Sequence, residues 1–187
     1  MAEGFPYYCN GNKNLLNHKP IAVFCSREIP LSIYHTANET FAELLKLPVA
    51  LAGGWQSALE KRVLKNYSED SQANIIYFLA KGINRFNTPK YLTSLMNSGR
   101  LLVVSPFLDE KRIEKRFVAA RDELLLSLIQ RFLFLYINPE GSLKNIFTRC
   151  VNQGRQVYIL EHQVNSAYLR DGVTSVNRNN MREVLLG

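Results

Sequence analysis

The stretch AVFCSREIPLSIYHTANETFAELL, residues 22–45, passes from a short apolar run through Cys25-Ser26-Arg27 into a segment whose apolar residues recur at helical spacing. A short run without polar alternation reads as a strand buried on both faces, and sheets buried in that way are parallel sheets covered by helices. The pattern repeats along the chain. Apolar runs at 21–25, 49–52, 75–80, 101–104, 132–137 and 157–160 alternate with helically spaced segments at 32–47, 56–67, 89–98, 109–130 and 142–153. Strand and helix in strict alternation predict an α/β fold: a doubly wound, mostly parallel, Rossmann-like sheet whose ligands lie beyond the carboxyl ends of the strands. No linker interrupts the pattern, so residues 1–187 read as a single domain, with 1–20 an N-terminal and 161–187 a C-terminal extension.

Composition narrows the partners. With 47% hydrophobic and 21% charged residues the chain has an ordinary globular balance, which excludes a disordered or fibrous protein. A net charge of +7 favours polyanions, because clustered Lys and Arg concentrate phosphates and release counterions on contact. Cys9, Cys25 and Cys150 are an odd set without Cys-x-x-Cys spacing, which argues against a disulfide framework or a structural metal and for a reducing, cytoplasmic setting. No basic segment followed by an apolar run opens the chain, and no apolar stretch approaches the ~20 residues of a membrane span. No membrane contact is expected.

The turns that follow the apolar runs carry the chemistry. They are Cys25-Ser26-Arg27, Gly53-Gly54-Trp55, Lys81-Gly82-Ile83-Asn84-Arg85, Ser105-Pro106-Phe107 and Asn138-Pro139-Glu140-Gly141-Ser142. Such turns aim backbone N–H groups and the positive end of a helix dipole at one point, which suits a phosphate; a glycine there also serves simply to end a strand. Neither a P-loop nor a Gly-x-Gly-x-x-Gly fingerprint is present. Cys25 could be a thiolate at a helix N-terminus, but a phosphatase-type loop would need Arg where Leu31 stands, and the plainer reading is a small buried residue at a strand end. No catalytic residue is assigned.

DEKRIEKRFVAARDELLLSLIQRFLFLYI, residues 109–137, is the densest basic segment. Spacing by three and four places Arg112, Lys115 and Arg116 on adjoining positions of one helix face, and the interleaved Glu110 and Glu114 make an ion-paired solvated face the competing reading. Arg121 differs: it follows Ala119 and Ala120 and precedes Leu124-Leu125-Leu126, so it is expected to point toward the site. Trp55, Tyr67, Phe86, Tyr91 and Phe107 lie near basic residues and could stack on bases, although core or rim positions explain them equally. Trp55, Lys81, Arg85, Lys115 and Arg116 form this secondary basic and aromatic set.

The order of these motifs resembles the DNA-processing protein A family (DprA, also called Smf), whose Rossmann-like domain is related to the lysine-decarboxylase-like (LOG) phosphoribohydrolases. YYCNGN (7–12) is similar to the family's opening Leu-Tyr-x-x-Gly-Asn, and Cys25-Ser26-Arg27 to its Gly-Ser-Arg, with Cys25 in the place of the glycine. AGGWQSALE (52–60) keeps Gly53 of Ser-Gly-x-Ala-x-Gly-Ile-Asp, and LLVVSPF (101–107) resembles the strand ending Ser-Glu-x-Pro. Arg121 matches the first Arg of Phe-x-x-Arg-Asn-Arg-Ile-Ile with Asp122 for Asn, and EGSLKNIFTRCVNQGRQVYIL (140–160) resembles Ser-Gly-Ser-Leu-x-Thr-Ala and Gly-Arg-x-Val. The resemblance implies a homodimeric protein that binds and protects single-stranded DNA and helps load RecA. It implies a phosphate site of Ser26, Arg27, Gly53, Arg121, Gly141 and Ser142, with Gly54 beside Gly53, and no cofactor.

Two other readings stay open. One is a binder of a nucleotide-derived small molecule at the same loops. The other is a phosphoribohydrolase-like enzyme, and there PEGSLKN (139–145) places Asn145 where those enzymes resemble one another in having a catalytic Glu. An amide neither transfers a proton at neutral pH nor stabilises an oxocarbenium charge, so hydrolysis is not expected.

Overall fold

The apolar runs form the middle of a sheet. The computed structural model describes residues 6–68, 70–111 and 114–187. Its strands are β1 (Tyr8–Gly11), β2 (Ile21–Cys25), β3 (Ala50–Gly53), β4 (Asn74–Phe78), β5 (Leu101–Ser105), β6 (Arg131–Tyr136), β7 (Gln156–Leu160) and β8 (Val173–Val176). Its α-helices are α1 (Leu31–Leu45), α2 (Ala58–Lys65), α3 (Thr93–Asn97), α4 (Lys115–Leu128), α5 (Leu143–Asn152) and α6 (Met181–Leu186). The strand order is β1-β5-β4-β3-β2-β6-β7-β8, with every pair parallel except β1 against β5. From β2 the chain steps outward to β5, then returns to lay β6 on the other side of β2. The direction therefore reverses between β2 and β6, the place where a doubly wound sheet opens a crevice.

Period-two alternation divides the core between the two faces of the sheet. Ile21, Val23 and Cys25 face Phe41 and Leu44 of α1, Leu59 and Val63 of α2 and Leu95 of α3. Ala22 and Phe24 face Leu124 and Leu125 of α4 and Phe147 of α5, where Phe24 stacks on Phe134 at 5.4 Å. Helices α1, α2 and α3 of the outward run thus cover one face and α4 and α5 the other, as right-handed crossovers require, while α6 returns Met181 and Leu185 to the first face.

Register breaks at the reversal. Cys25 pairs with Tyr136 instead of Leu135, a bulge at the carboxyl end of the β2–β6 pair. The Leu135 carbonyl accepts from the buried Asn165 Nδ2 at 3.0 Å, and the same amide donates to the Leu160 carbonyl at 2.9 Å.

Two expectations need correction. The end segments read as extensions supply the sheet's edge strands, β1 and β8, which are four residues long and carry polar residues. The helical pattern expected from 109 begins only at Lys115, because residues 106–110 run as turn and loop; Arg112 lies outside the described residues. Among the described residues no helix is long and apolar enough to cross a membrane.

Candidate functional site

Ser26, the first residue after β2, ties the two strands of the reversal together. Its N–H donates to the Tyr136 carbonyl at 3.0 Å, and its Oγ accepts from the Asn138 N–H at 2.8 Å. Asn138 in turn shapes the loop after β6: its side chain accepts from the Glu140 N–H at 3.0 Å and its carbonyl from the Gly141 N–H at 2.9 Å. Ser26 is buried, yet a hydroxyl that accepts one bond still has a proton to donate. Arg27, next along, is exposed and makes no hydrogen bond or ion pair among the described residues.

The helices that leave this point have open starts. Pro30 precedes α1 and cannot cap it, and Ser142, already helical at the start of α5, makes no side-chain cap. Their leading N–H groups are therefore free to meet an anion. α2 is the opposite case. Ser57 Oγ accepts from the Glu60 N–H at 3.1 Å and Glu60 Oε2 accepts from the Ser57 N–H at 2.9 Å, a closed capping box. Glu60 Oε1 also accepts from the Cys25 N–H at 3.1 Å. Burial pushes the Glu60 carboxyl up, and the N–H donors of Ser57 and Cys25 oppose that shift.

The Gly53-Gly54 turn, which leads into that closed capping box, also has a steric role. Its lack of side chains makes room: a Cβ at Gly54 would meet Arg121 Nη1 at 2.5 Å, and one at Gly53 would meet the Trp55 ring at 3.3 Å. Arg121 of α4 is 7% exposed, with Nε and Nη2 donating to Asp122 Oδ1 at 2.9 and 2.6 Å. Its Nη1 is buried without a hydrogen-bond partner. An orphaned, charged donor of this kind costs about 1–3 kcal/mol or more, so proteins rarely keep one without a use. Burial raises the Asp122 carboxyl, and the Arg121 charge beside it pulls the other way.

The secondary set separates. Trp55 is 1% exposed, with a left-handed φ of 51°, its ring stacked on Phe41 at 5.8 Å and its Nε1 donating to the Ile76 carbonyl at 3.2 Å. It is core and cannot stack on a base. Lys81 Nζ stands 5.7 Å over the Phe86 ring beyond β4, and Arg85 Nε donates to the Asp109 carbonyl at 3.4 Å. Lys115 is exposed at the start of α4, while Arg116 pairs with Glu114 at 2.8 Å and lies over Phe117, which is the solvated, ion-paired face. The Cys25 thiol is buried and pushed up to about 12, first by burial and then by Glu60, which disfavours the thiolate that a nucleophile needs. Among the described residues no cluster of His, Cys, Asp and Glu is placed to hold a metal.

Sequence reading missed Glu60 and named Asn138 only as part of its turn. The Ser-x-x-Glu spacing of 57–60 signals a capping box, but nothing local signals its bond to Cys25.

A parallel sheet reversing beside β2, with helices on both faces, makes this a Rossmann-like α/β protein. Residues 4–182 match the family model of DNA recombination-mediator protein A, and the chain belongs to that family. Its fold is similar to that of DNA processing protein A (DprA) from Streptococcus pneumoniae, with a TM-score of 0.73 and 15% identity over 96% of this chain and 65% of that one. It is equally similar to DNA processing protein A from Helicobacter pylori, a protein that binds single-stranded DNA, with a TM-score of 0.72 and 15% identity over 96% of this chain and 86% of that one. The chain thus spans a little under two thirds of the length of the S. pneumoniae protein. No curated protein matches it.

Proposed function

We propose that this protein binds single-stranded DNA without catalysis, holding the backbone at the carboxyl edge of the sheet beside the β2–β6 reversal. The observation that carries the reading is Arg121: a buried guanidinium, packed on a glycine, with its Nη1 amino group left unpaired. A phosphate oxygen would satisfy that nitrogen once the Gly54 turn lying over it gives way. Arg27 adds a free cation on the exposed side, Ser26 a hydroxyl proton, and the uncapped starts of α1 and α5 add backbone donors and dipole. Phe86, half-buried under Lys81 and tilted on Tyr77 at 5.4 Å, is the aromatic placed to meet a base. Catalysis has no carrier here, because exposed Asn145 occupies the place of the hydrolases' acid and amides do not transfer protons. RecA as protein partner and a homodimer as the working assembly belong to the same proposal, supported by the family.

The test is fluorescence anisotropy of a labelled single-stranded oligonucleotide at low and moderate salt, with Arg27→Ala and Arg121→Ala. Salt-sensitive binding that both variants lose supports the reading. Absence of binding by the folded wild-type protein at low salt refutes it and turns the search to small nucleotides at the same loops.

A further inference from the structure

Glu60 is the buried charge for which DNA binding has no obvious need. It is 5% exposed, lies on α2 beneath the turn after β2, and has no ion-pair partner among the described residues. What it holds instead is backbone. Oε2 accepts from Ser57 N–H at 2.9 Å and Oε1 from Cys25 N–H at 3.1 Å, so one carboxylate joins the start of α2 to the last residue of β2. A capping box needs only the first of these bonds; the second reaches across to another strand. Cys25 is the residue immediately before Ser26 and Arg27, and it stands where the ladder bulges, pairing with Tyr136 out of step. A bulge re-aims the side chains that follow it and is held only if its backbone groups are satisfied.

We propose that Glu60 is a positioning residue: by anchoring the Cys25 N–H it fixes the direction in which the Ser26-Arg27 turn presents its donors to the DNA backbone. This rests on the DNA-binding reading above. The geometry suits the ionised form, since both oxygens accept from N–H groups, and charge-assisted bonds of this kind are the stronger class. Glutamine cannot replace it, because its amide nitrogen would face one of the two N–H groups, donor against donor. Arg27 would then keep its charge but lose its aim. The cap and the anchor are separable: Ser57 Oγ takes part only in the cap, whereas the Glu60 carboxylate takes part in both.

The experiment compares Glu60→Gln and Ser57→Ala with the wild-type chain by thermal unfolding, by oligonucleotide anisotropy across a salt series, and by amide hydrogen exchange at Cys25. For Glu60→Gln the expected result is an affinity about tenfold weaker and a log–log salt slope shallower by about 0.7, the share of one phosphate contact on a single strand. Exchange at Cys25 speeds up. Ser57→Ala is expected to lower the melting temperature while affinity, slope and Cys25 exchange stay at wild-type values. If the two variants lose affinity in proportion to lost stability, Glu60 is a helix cap only and the proposal is overturned; unchanged affinity and slope in Glu60→Gln overturn it equally. Should Glu60→Gln fail to fold, Glu60→Asp, which keeps the charge but withdraws it by one methylene, is read against Ser57→Ala in the same way. A wild-type chain that binds no DNA refutes the DNA reading and with it the role of Glu60 in presenting Arg27. Cys25 exchange still shows whether the anchor itself exists.

Discussion

Gly54 and Arg121 fit one another through the absence of a side chain: a Cβ at position 54 would stand 2.5 Å from Nη1 and 2.8 Å from Cζ. The guanidinium lies against the turn after β3 and is tethered from behind by Asp122. Gly54→Ala is therefore expected to push Arg121 off its seat. Overpacking of this kind costs about 1–3 kcal/mol, at the lower end here because the clashing atoms end a long side chain. Oligonucleotide affinity should fall several-fold while circular dichroism stays native, and a variant with wild-type affinity would show that Arg121's seat is irrelevant to binding.

Arg27 predicts a cleaner result, since it is exposed and unpaired among the described residues. Arg27→Ala should leave the melting temperature unchanged and make the salt slope of single-strand binding shallower by about 0.7, the loss of one phosphate contact. A parallel titration in sodium chloride for wild type and variant reads this directly.

Trp55 is the chain's one tryptophan and is buried against Phe41. Its emission should be blue-shifted, resistant to acrylamide and little quenched by added oligonucleotide. Strong quenching by DNA would mean that the ring stacks on a base after all. Trp55→Phe removes the bond to the Ile76 carbonyl, which keeps its place in the β3–β4 ladder, and should cost about 0.5–1.5 kcal/mol, the usual net worth of one hydrogen bond.

Glu123 of α4 and Arg149 of α5 face each other in a two-pronged pair with bonds of 2.5 and 2.9 Å. The Arg149 bond lowers the Glu123 carboxyl below its ordinary 4.5. A carboxyl lowered in the folded state stabilises the fold above its unfolded value and loses that contribution as pH falls through the lowered value. Both side chains are more than two-fifths exposed, so solvent screening limits the pair to about 0.5 kcal/mol. Urea midpoints of wild type and Arg149→Met should differ at pH 7 and converge as the pH falls below the ordinary carboxyl range. A constant difference across that range would assign the loss to packing.

Cys25 and Cys150 are buried, and burial pushes both thiols up to about 12. Iodoacetamide at pH 8 should modify neither in the folded protein and both in urea. Rapid alkylation of Cys25 in the native state would reopen it as a nucleophile.

Much of the architecture was legible because a parallel sheet imprints itself locally. Strands covered on both faces must be apolar throughout, so IAVFC and FLFLYI mark β2 and β6 without reference to anything distant. Element order then puts Ser26, Arg27, Gly141 and Ser142 at carboxyl ends of strands. β1 and β8 escaped because an edge strand pairs on one side only and tolerates polar residues, as YCNG and VTSV do. The site was legible as a set of turns, not as a set of contacts. Period and composition do not say that Trp55 turns inward, that Arg121 rests on Gly54, or that Glu60 reaches a backbone N–H 35 residues away. The inner strands, the longer helices and the turns that follow them could be read locally, because they depend on neighbours a few residues apart. Which turn is open to a ligand and which is closed by a carboxylate is a property of the assembled fold, because it depends on bonds formed after β2, β3 and β6 have come side by side.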